Sequence, residues 1–549
     1  MDKTLLRLCA VASLAITPWT TFDPINPPKF LLLSLIGSIC AVHIFQQRGN
    51  LNLGNLLKVS LALLLVMPII SAVATNENTG RDLYGAYGRL FGLITLVCLV
   101  LVLSYFSSAE HLDIKDFFGI FQVLSLISIS YGFLQSIGRD FAPWENPYSP
   151  IVGFLGNPNF MSSLTGVSVI LLSYWYVGFK QNILKTIVAA IFQFIGILII
   201  IQSDSIQGLF VVFAGILSGF MYVAIHKRKR FLDIGIVSSL AFSFLLIALA
   251  ISQKGPFANV FASGTLANRI EYWKTGLRMF LENWQFGVGP DQFGTWFRFY
   301  RPESTTKLLG TEVITDSPHN SIIEFGANFG IVGLIAYLIL VVLVFSRIIS
   351  FARNSSKISI EHMLLSGAFI GYFAQTLISP NQIGLTIWGW VFMGLILNKA
   401  FSIDQLQVKV KNSEKTKVLK VSQSSFQDSN KNLLSIIIGG LIGLIVSFPL
   451  FYQHILYRNA LVSSDAVRLI KVAESWPRQE YIQIQIVEIL MQNQHWVLSH
   501  RLNSELLQDF PNSYLGWQKF YENKQTKLEE KEIARKELHR LDPLNQNWK

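Results

Sequence analysis

The sequence predicts an all-α, polytopic membrane protein with a small helical tail, and three observations carry that prediction. About half of the 549 residues (51%) are apolar and only 14% carry a charge, where an ordinary soluble domain carries roughly 25%. Apolar runs long enough to cross a bilayer as a helix recur along almost the whole chain, about thirteen in all. Lys and Arg alternate in density from one short loop to the next, the pattern left by loops that stay on or leave the cytoplasmic side.

The runs centre on residues 5–20, 29–46, 57–75, 88–107, 117–137, 160–178, 184–201, 207–226, 232–251, 320–346, 363–379, 382–399 and 433–453. The first resembles a signal peptide in its Lys3, Arg7 and apolar core, but Pro18-Trp19 stands where small cleavage-site residues belong, so it reads as a retained helix. With the N-terminus inside, the cytoplasmic connections hold Arg48, Lys58, Lys180, Lys185, the run 227–230 (KRKR), Arg347, Arg353 and Lys357. Residues 1–399 then form a polytopic domain. Residues 400–431, polar and Lys-rich, read as a cytoplasmic linker before a last span at 432–453. Two external segments remain, the loop 252–319 and the tail 454–549. In the loop, Ile270, Trp273, Leu277 and Phe280 recur at helical spacing, with Asn268 and Glu271 as a capping box. The tail has amphipathic stretches near 464–476, 479–508, 514–524 and 527–541, and FPNSYLGWQKFYEN with ARKELHRLDPLN resembles pieces of tetratricopeptide-type repeats without a strict 34-residue period. Cys9, Cys40 and Cys98 lie in apolar runs and read as packing residues.

The strongest chemical signal is Asp316-Ser317-Pro318-His319-Asn320 at the start of the tenth span. Ser317 suits an N-cap with Pro318 at the first helical position, which sets His319 in the first turn. The positive end of the helix dipole there disfavours imidazolium and attracts anions, so a neutral His319 beside an anion site suits a general base. The competing reading is that His319 only caps or anchors the helix. A second cluster holds Arg269, Tyr272, Trp273 and Arg278, then the GVGPD turn at 287–291 and Arg298 and Arg301, arginines able to grip phosphate in bidentate fashion or merely solvate the loop. Arg89 lies at the outer boundary of the fourth span, to snorkel or to face a polar cavity. The turn-rich GFLGNPNF at 153–160 reads as a rigid external loop. The external segments hold no Asp-x-Asp, HExxH or Cys/His cluster, so no metal site or cofactor is expected, and GxSxG is absent.

GFLGNPNF (153–160), NRIEYWKTGLRMFLENWQFGVGPDQF (268–293), SPHNSIIEFGANFGIVGLIAYL (317–338) and the hydrophobic pair at 371–397 together resemble the O-antigen ligase and polymerase superfamily over roughly residues 80–400. The extra span and helical tail resemble the protein O-oligosaccharyltransferase-like subgroup. The resemblance implies a fold of the lipid-linked-sugar glycosyltransferase type in the bacterial inner membrane, with the tail periplasmic. It implies transfer of a glycan from undecaprenyl diphosphate to a hydroxyl on lipid A-core sugar or on protein. His319 matches the family's essential histidine, with Asn320 beside it, and Arg269 opens an R-x-x-x-W motif closed by Trp273. Arg89 is similar to an arginine at the outer end of an early span. Gln207 departs from the pattern, standing where many relatives carry arginine in a Ser-Arg-Gly-like motif. Arg298 and Arg301 complete the expected substrate-binding set.

Three other functions fit less of the sequence. A polymerase extending one lipid-linked glycan with another uses the same residues. A flippase for lipid-linked oligosaccharide needs polar groups at mid-membrane depth, where only Asp204 and Glu324 are partial matches. A non-catalytic scaffold leaves the DSPHN segment without a role. The net charge of +11 falls almost wholly on the cytoplasmic segments, so it reports orientation and gives no support to a nucleic-acid partner.

Overall fold

The computed structural model describes residues 1–47, 53–110, 112–143, 149–177, 182–228, 264–399 and 421–548; side chains begin at Leu266 and Asn430 in the helices that open at Gly264 and Val421. The expected span 232–251, Arg48, Lys180, Lys229, Arg230 and most of the linker 400–431 lie outside these residues. Among the described residues all regular structure is helical. Eight helices are long and apolar enough to cross a membrane, with two shorter apolar ones. This is a polytopic all-α membrane protein.

In chain order the helices of the membrane part are α1 (Asp2–Leu14), α2 (Asn26–Gln46), α3 (Asn55–Thr75), α4 (Thr79–Tyr84), α5 (Leu93–Ser108), α6 (Ile114–Ser136), α7 (Pro158–Leu172), α8 (Ile183–Gln202), α9 (Gln207–His226), α10 (Gly264–Glu282), α11 (Phe293–Tyr300), α12 (Glu303–Leu309), α13 (Ser321–Asn354), α14 (Ile360–Thr376), α15 (Ile383–Leu397) and α16 (Val421–Ser463). The tail comprises α17 (Ala466–Glu474), α18 (Glu480–Gln492), α19 (Trp496–Asp509), α20 (Tyr514–Glu522) and α21 (Leu528–Leu541). Three boundaries differ from expectation. The first helix stops at Leu14, because residues 15–25 turn back through a Thr17 N–H to Pro24 carbonyl bond of 2.9 Å. Helix α16 opens at Val421, inside the expected linker, and runs without a break to Ser463. The stretch 479–508 is two helices, since Gln494 takes a left-handed φ of 62° between them.

Polar contacts between helix ends sort the connections onto two faces. On one face Lys3 pairs with Asp116 at 2.8 Å, His226 Nδ1 meets the Ala352 carbonyl at 3.1 Å, and Asn398 Nδ2 donates to the Phe106 carbonyl at 2.7 Å. On the other, the Phe22 N–H donates to the His454 carbonyl at 3.1 Å and Asn320 Nδ2 to the Leu377 carbonyl at 3.1 Å. Helix α16 lies along α2 through Gly439 and Gly443, where an added methyl would stand 2.5–2.6 Å from the backbones of Ile39 and Leu35. Such small-residue spacing is how membrane helices gain close van der Waals contact when lipid removes the hydrophobic drive between them.

The tail is docked onto the second face. Arg81 of α4 pairs with Glu480, Asn512 Nδ2 donates to Glu77 at 2.8 Å, and the Tyr87 ring stacks on Tyr481 at 4.2 Å. Arg298 of α11 and Arg301 just after it converge on Asp542 at 3.3 and 2.6 Å, and the Arg298 guanidinium also covers the Tyr514 ring at 4.1 Å. Arg301 and Asp542 are both fully buried. These two arginines, expected to contact substrate, are therefore committed to fastening the tail, because a buried guanidinium must have its counter-charge close by. Asp542→Ala is expected to leave Arg301 buried without a carboxylate and Arg298 with only the exposed Glu312 at 3.7 Å, weakening docking by about 3–5 kcal/mol. Limited proteolysis should then cut residues 466–541 readily while membrane insertion is unchanged.

Candidate functional site at the helix α13 N-terminus

Helix α13 is broken at Gly330, whose φ of 68° and ψ of −165° are open only to glycine at low cost. The break releases carbonyls that a continuous helix would use itself. Ala327 and Asn328 accept from the Val288 and Gly289 N–H groups at 2.8 and 3.1 Å, and the Ile331 N–H donates to the Trp284 carbonyl at 2.7 Å. Gly287, at φ 73°, lets its backbone touch that of Asn328. The GVGP turn is thus a strand-like splice into a broken membrane helix, and it delivers Asp291 to the site.

Asp291 Oδ2 accepts from the Ala86 and Phe91 N–H groups at 2.7 and 3.2 Å, which folds the loop 85–92 around it. Arg89, carried by that loop and buried, pairs with Asp291 at 3.4 Å and more closely with Glu324, and donates to the Asp316 carbonyl. Burial presses the Arg89 pKa down, but Asp291, Glu324 and Asp316 outweigh it, so its charge is firmly held. Arg89, expected to bind substrate directly, instead ties four chain segments together around its guanidinium.

The DSPHN segment is rearranged from its expected form. The cap of α13 is Asn320, whose Oδ1 accepts from the Ile322 and Ile323 N–H groups at 3.0 and 3.2 Å. Ser317 Oγ holds the His319 N–H at 3.0 Å, and His319 precedes the cap in a left-handed conformation, φ 55°. A non-glycine residue held there costs energy that its surroundings must supply. Asn320 also donates to Leu377, so its side chain is spent on positioning.

Helix α10 packs over this segment through Gly276, where an added methyl would lie 2.6 Å from Ile323 and 3.3 Å from Pro318. The helix starts at Gly264, so Asn268 lies inside it and no capping box forms; Glu271 instead accepts from Lys274, Ser304 and Thr305 at 2.6–2.8 Å, fixing α12. Tyr272 meets the His319 ring edge-on at 5.3 Å. Among the described residues Arg269 has no carboxylate partner, and the Trp273 indole N–H, buried, has no acceptor. Burial lowers the Arg269 pKa, the mark of a cation short of counter-charge. His319 is pulled from 6.5 down to about 3, first by burial, then by Arg269 and Arg89, and its Nδ1 has no hydrogen-bond partner. Desolvation, and not the helix dipole invoked from sequence, is the main cause of this downward shift.

Gln207 lies in another cluster, its Oε1 accepting from Ser163 at 3.4 Å between α7 and α9, with its Nε2 unpartnered. Sequence reading missed the partnership of Asp291 and Glu324 with Arg89. The one available signal was Glu324 in an otherwise apolar span, which implies a buried partner. Among the described residues no three His, Cys, Asp or Glu stand together as metal ligands. Beside the site a cavity of about 440 Å³ opens between the membrane part and the tail, walled by Arg81, Tyr87, Asp316, Tyr481 and Leu515 among others.

Fold and site together define a membrane protein that brings near one end of a broken helix a histidine whose protonation is disfavoured and an arginine with no carboxylate partner among the described residues. Residues 188–338 match the family model described as O-antigen ligase. The match covers Gln207, Arg269, Trp273, Arg298, Arg301, His319 and Asn320, and Arg89 lies before it. No curated protein matches the chain. Gly287→Ala is expected to cost more than the roughly 1–2 kcal/mol of a left-handed alanine, since its methyl also meets the Asn328 backbone. A lowered melting temperature of the purified protein measures it.

Proposed function

We infer a glycan ligase or polymerase function from the match of residues 188–338 to the O-antigen ligase model. We propose that the protein transfers a glycan from undecaprenyl diphosphate to a hydroxyl of lipid A-core sugar or of protein, on the periplasmic face of the bacterial inner membrane, without metal assistance. The observation that carries this reading is the half-buried His319, whose protonation is disfavoured, near an Arg269 that has no carboxylate partner among the described residues.

The chemistry follows from those groups. The diphosphate already activates the anomeric carbon, so two tasks remain: removing the acceptor proton and stabilising the leaving diphosphate. A ring nitrogen of His319 takes the hydroxyl proton as the acceptor oxygen bonds to the anomeric carbon. The bond from that carbon to the diphosphate breaks, and its electron pair leaves with the phosphate oxygen. Attack opposite the diphosphate inverts the centre. Arg269 and Trp273, one helical turn apart on α10, offer a cation and a donor to the same anion. Binding of the diphosphate would supply the counter-charge that Arg269 lacks. Arg89 acts through position, holding the DSPHN segment in place.

His319→Ala is expected to lower transfer by about 10²–10⁴-fold with insertion intact; transfer at the wild-type rate by a well-expressed variant would remove the assignment. Because the free-protein His319 titrates near 3, an ordinary histidine's loss of base near 6.5 is absent, and kcat/KM should stay level through pH 5–6. Arg269→Gln removes one cause of the depression, so the acid limb should move upward in pH. Lipid-linked repeat units offered without a separate acceptor distinguish ligase from polymerase, since only a polymerase lengthens them.

A further inference from the structure

Charge in the cavity beneath the tail is arranged differently from charge at Arg269. Three arginines reach its wall, and each has a carboxylate: Arg81 has Glu480, Arg298 has Asp542, and Arg478 has Asp509. The one wall carboxylate left over is Asp316, whose side-chain oxygens have no hydrogen bond or ion pair among the described residues. Room for it exists because residue 294 is glycine: an added methyl there would lie 2.7 Å from Asp316 Oδ1. The cavity therefore has no spare cation to hold a diphosphate. It has a spare acceptor of hydrogen bonds, three residues from His319 along the chain. Tyr87 and Tyr481 stack beside it, with Tyr481 39% exposed.

We propose that this cavity is the acceptor site and that it takes a neutral sugar, whose hydroxyls donate to Asp316 and whose apolar ring face lies against the tyrosines, the tail forming one wall. The inference rests on the glycan-transfer reading and divides its substrates between two sides of the DSPHN segment. The lipid diphosphate sits on the Arg269 side, where positive charge is in excess; the hydroxyl acceptor sits on the Asp316 side, where it is not. A volume of about 440 Å³ falls within the roughly 300–1,000 Å³ of small-ligand pockets. Vicinal hydroxyls suit a carboxylate because each donates to one oxygen, and aromatic faces suit the C–H side of a pyranose. On this reading Asp316 touches the acceptor and orients it, while His319 takes the proton.

The test needs no turnover. In full-length protein in nanodiscs, Leu515→Cys puts a thiol in the cavity wall, and the native Cys9, Cys40 and Cys98 are buried. Its alkylation by a maleimide is timed with maltotriose, with an N-acetylglucosamine trimer, with inorganic pyrophosphate, and with a Ser/Thr-rich peptide. The expected result is several-fold slowing by at least one neutral sugar and none by pyrophosphate. Asp316→Asn, which keeps the side-chain shape, should weaken that protection about tenfold, the loss of a hydrogen bond to a charged group. Protection by pyrophosphate or by the peptide alone, sugar protection unchanged in Asp316→Asn, or no protection by any probe overturns the proposal. Loss of transfer in His319→Ala is a separate readout, so failure of the acceptor site is distinguishable from failure of the transfer reading.

Discussion

A guanidinium cannot lose its charge in a protein and cannot be taken from water without company, and Arg89 is taken from water. Glu324 comes to it from α13, Asp291 from the GVGP turn, and the Asp316 carbonyl from the segment that carries His319. Each partner is held by something else in turn. Asp291 is fixed by the loop 85–92, and that turn by the carbonyls freed at Gly330. Removing the cation would leave two carboxylates facing each other in a poorly hydrated place, and the DSPHN backbone would lose its hydrogen bond at Asp316. The imidazole is thus located by an ion cluster that leaves the imidazole itself free.

The same reasoning separates arginines that hold structure from one that is left over. Four were expected to meet substrate, and by residue type they are alike. In space, Arg89 meets two acids, Arg298 and Arg301 share a third, and Arg269 meets none among the described residues. Availability to a ligand is a property of neighbours, which is why the sequence alone cannot assign it.

Much of the fold was legible because lipid imposes one rule on every span: an apolar run of sufficient length with its backbone bonded internally. That rule located most membrane helices, and α10 followed from the spacing of Ile270, Trp273, Leu277 and Phe280. His319 and Arg269 were legible as motif residues, and their proximity is felt in the Arg269 charge that opposes protonation of the imidazole. What was not legible depended on long-range partners. The cap moved from Ser317 to Asn320 because the Asn320 side chain also secures Leu377. The break at Gly330 is not marked locally, since glycine is common in membrane helices and its backbone angles depend on the GVGP turn packed against it. Asp542-Pro543 read as a turn, and nothing local marked Asp542 as the counter-ion of two arginines more than two hundred residues earlier.

That last pairing also orders events in time. Arg301 and Asp542 are separated by 241 residues, and between them the chain must place several membrane helices and, in the proposed orientation, carry the tail across the bilayer on α16. Until it does, Arg301 has no carboxylate within reach among the described residues, and Arg298 has only the exposed Glu312, 3.7 Å away. The loop bearing Arg298 and Arg301 thus settles late, after the tail has arrived on its side, and assembly of the face beside His319 is gated by translocation of a segment made long after it.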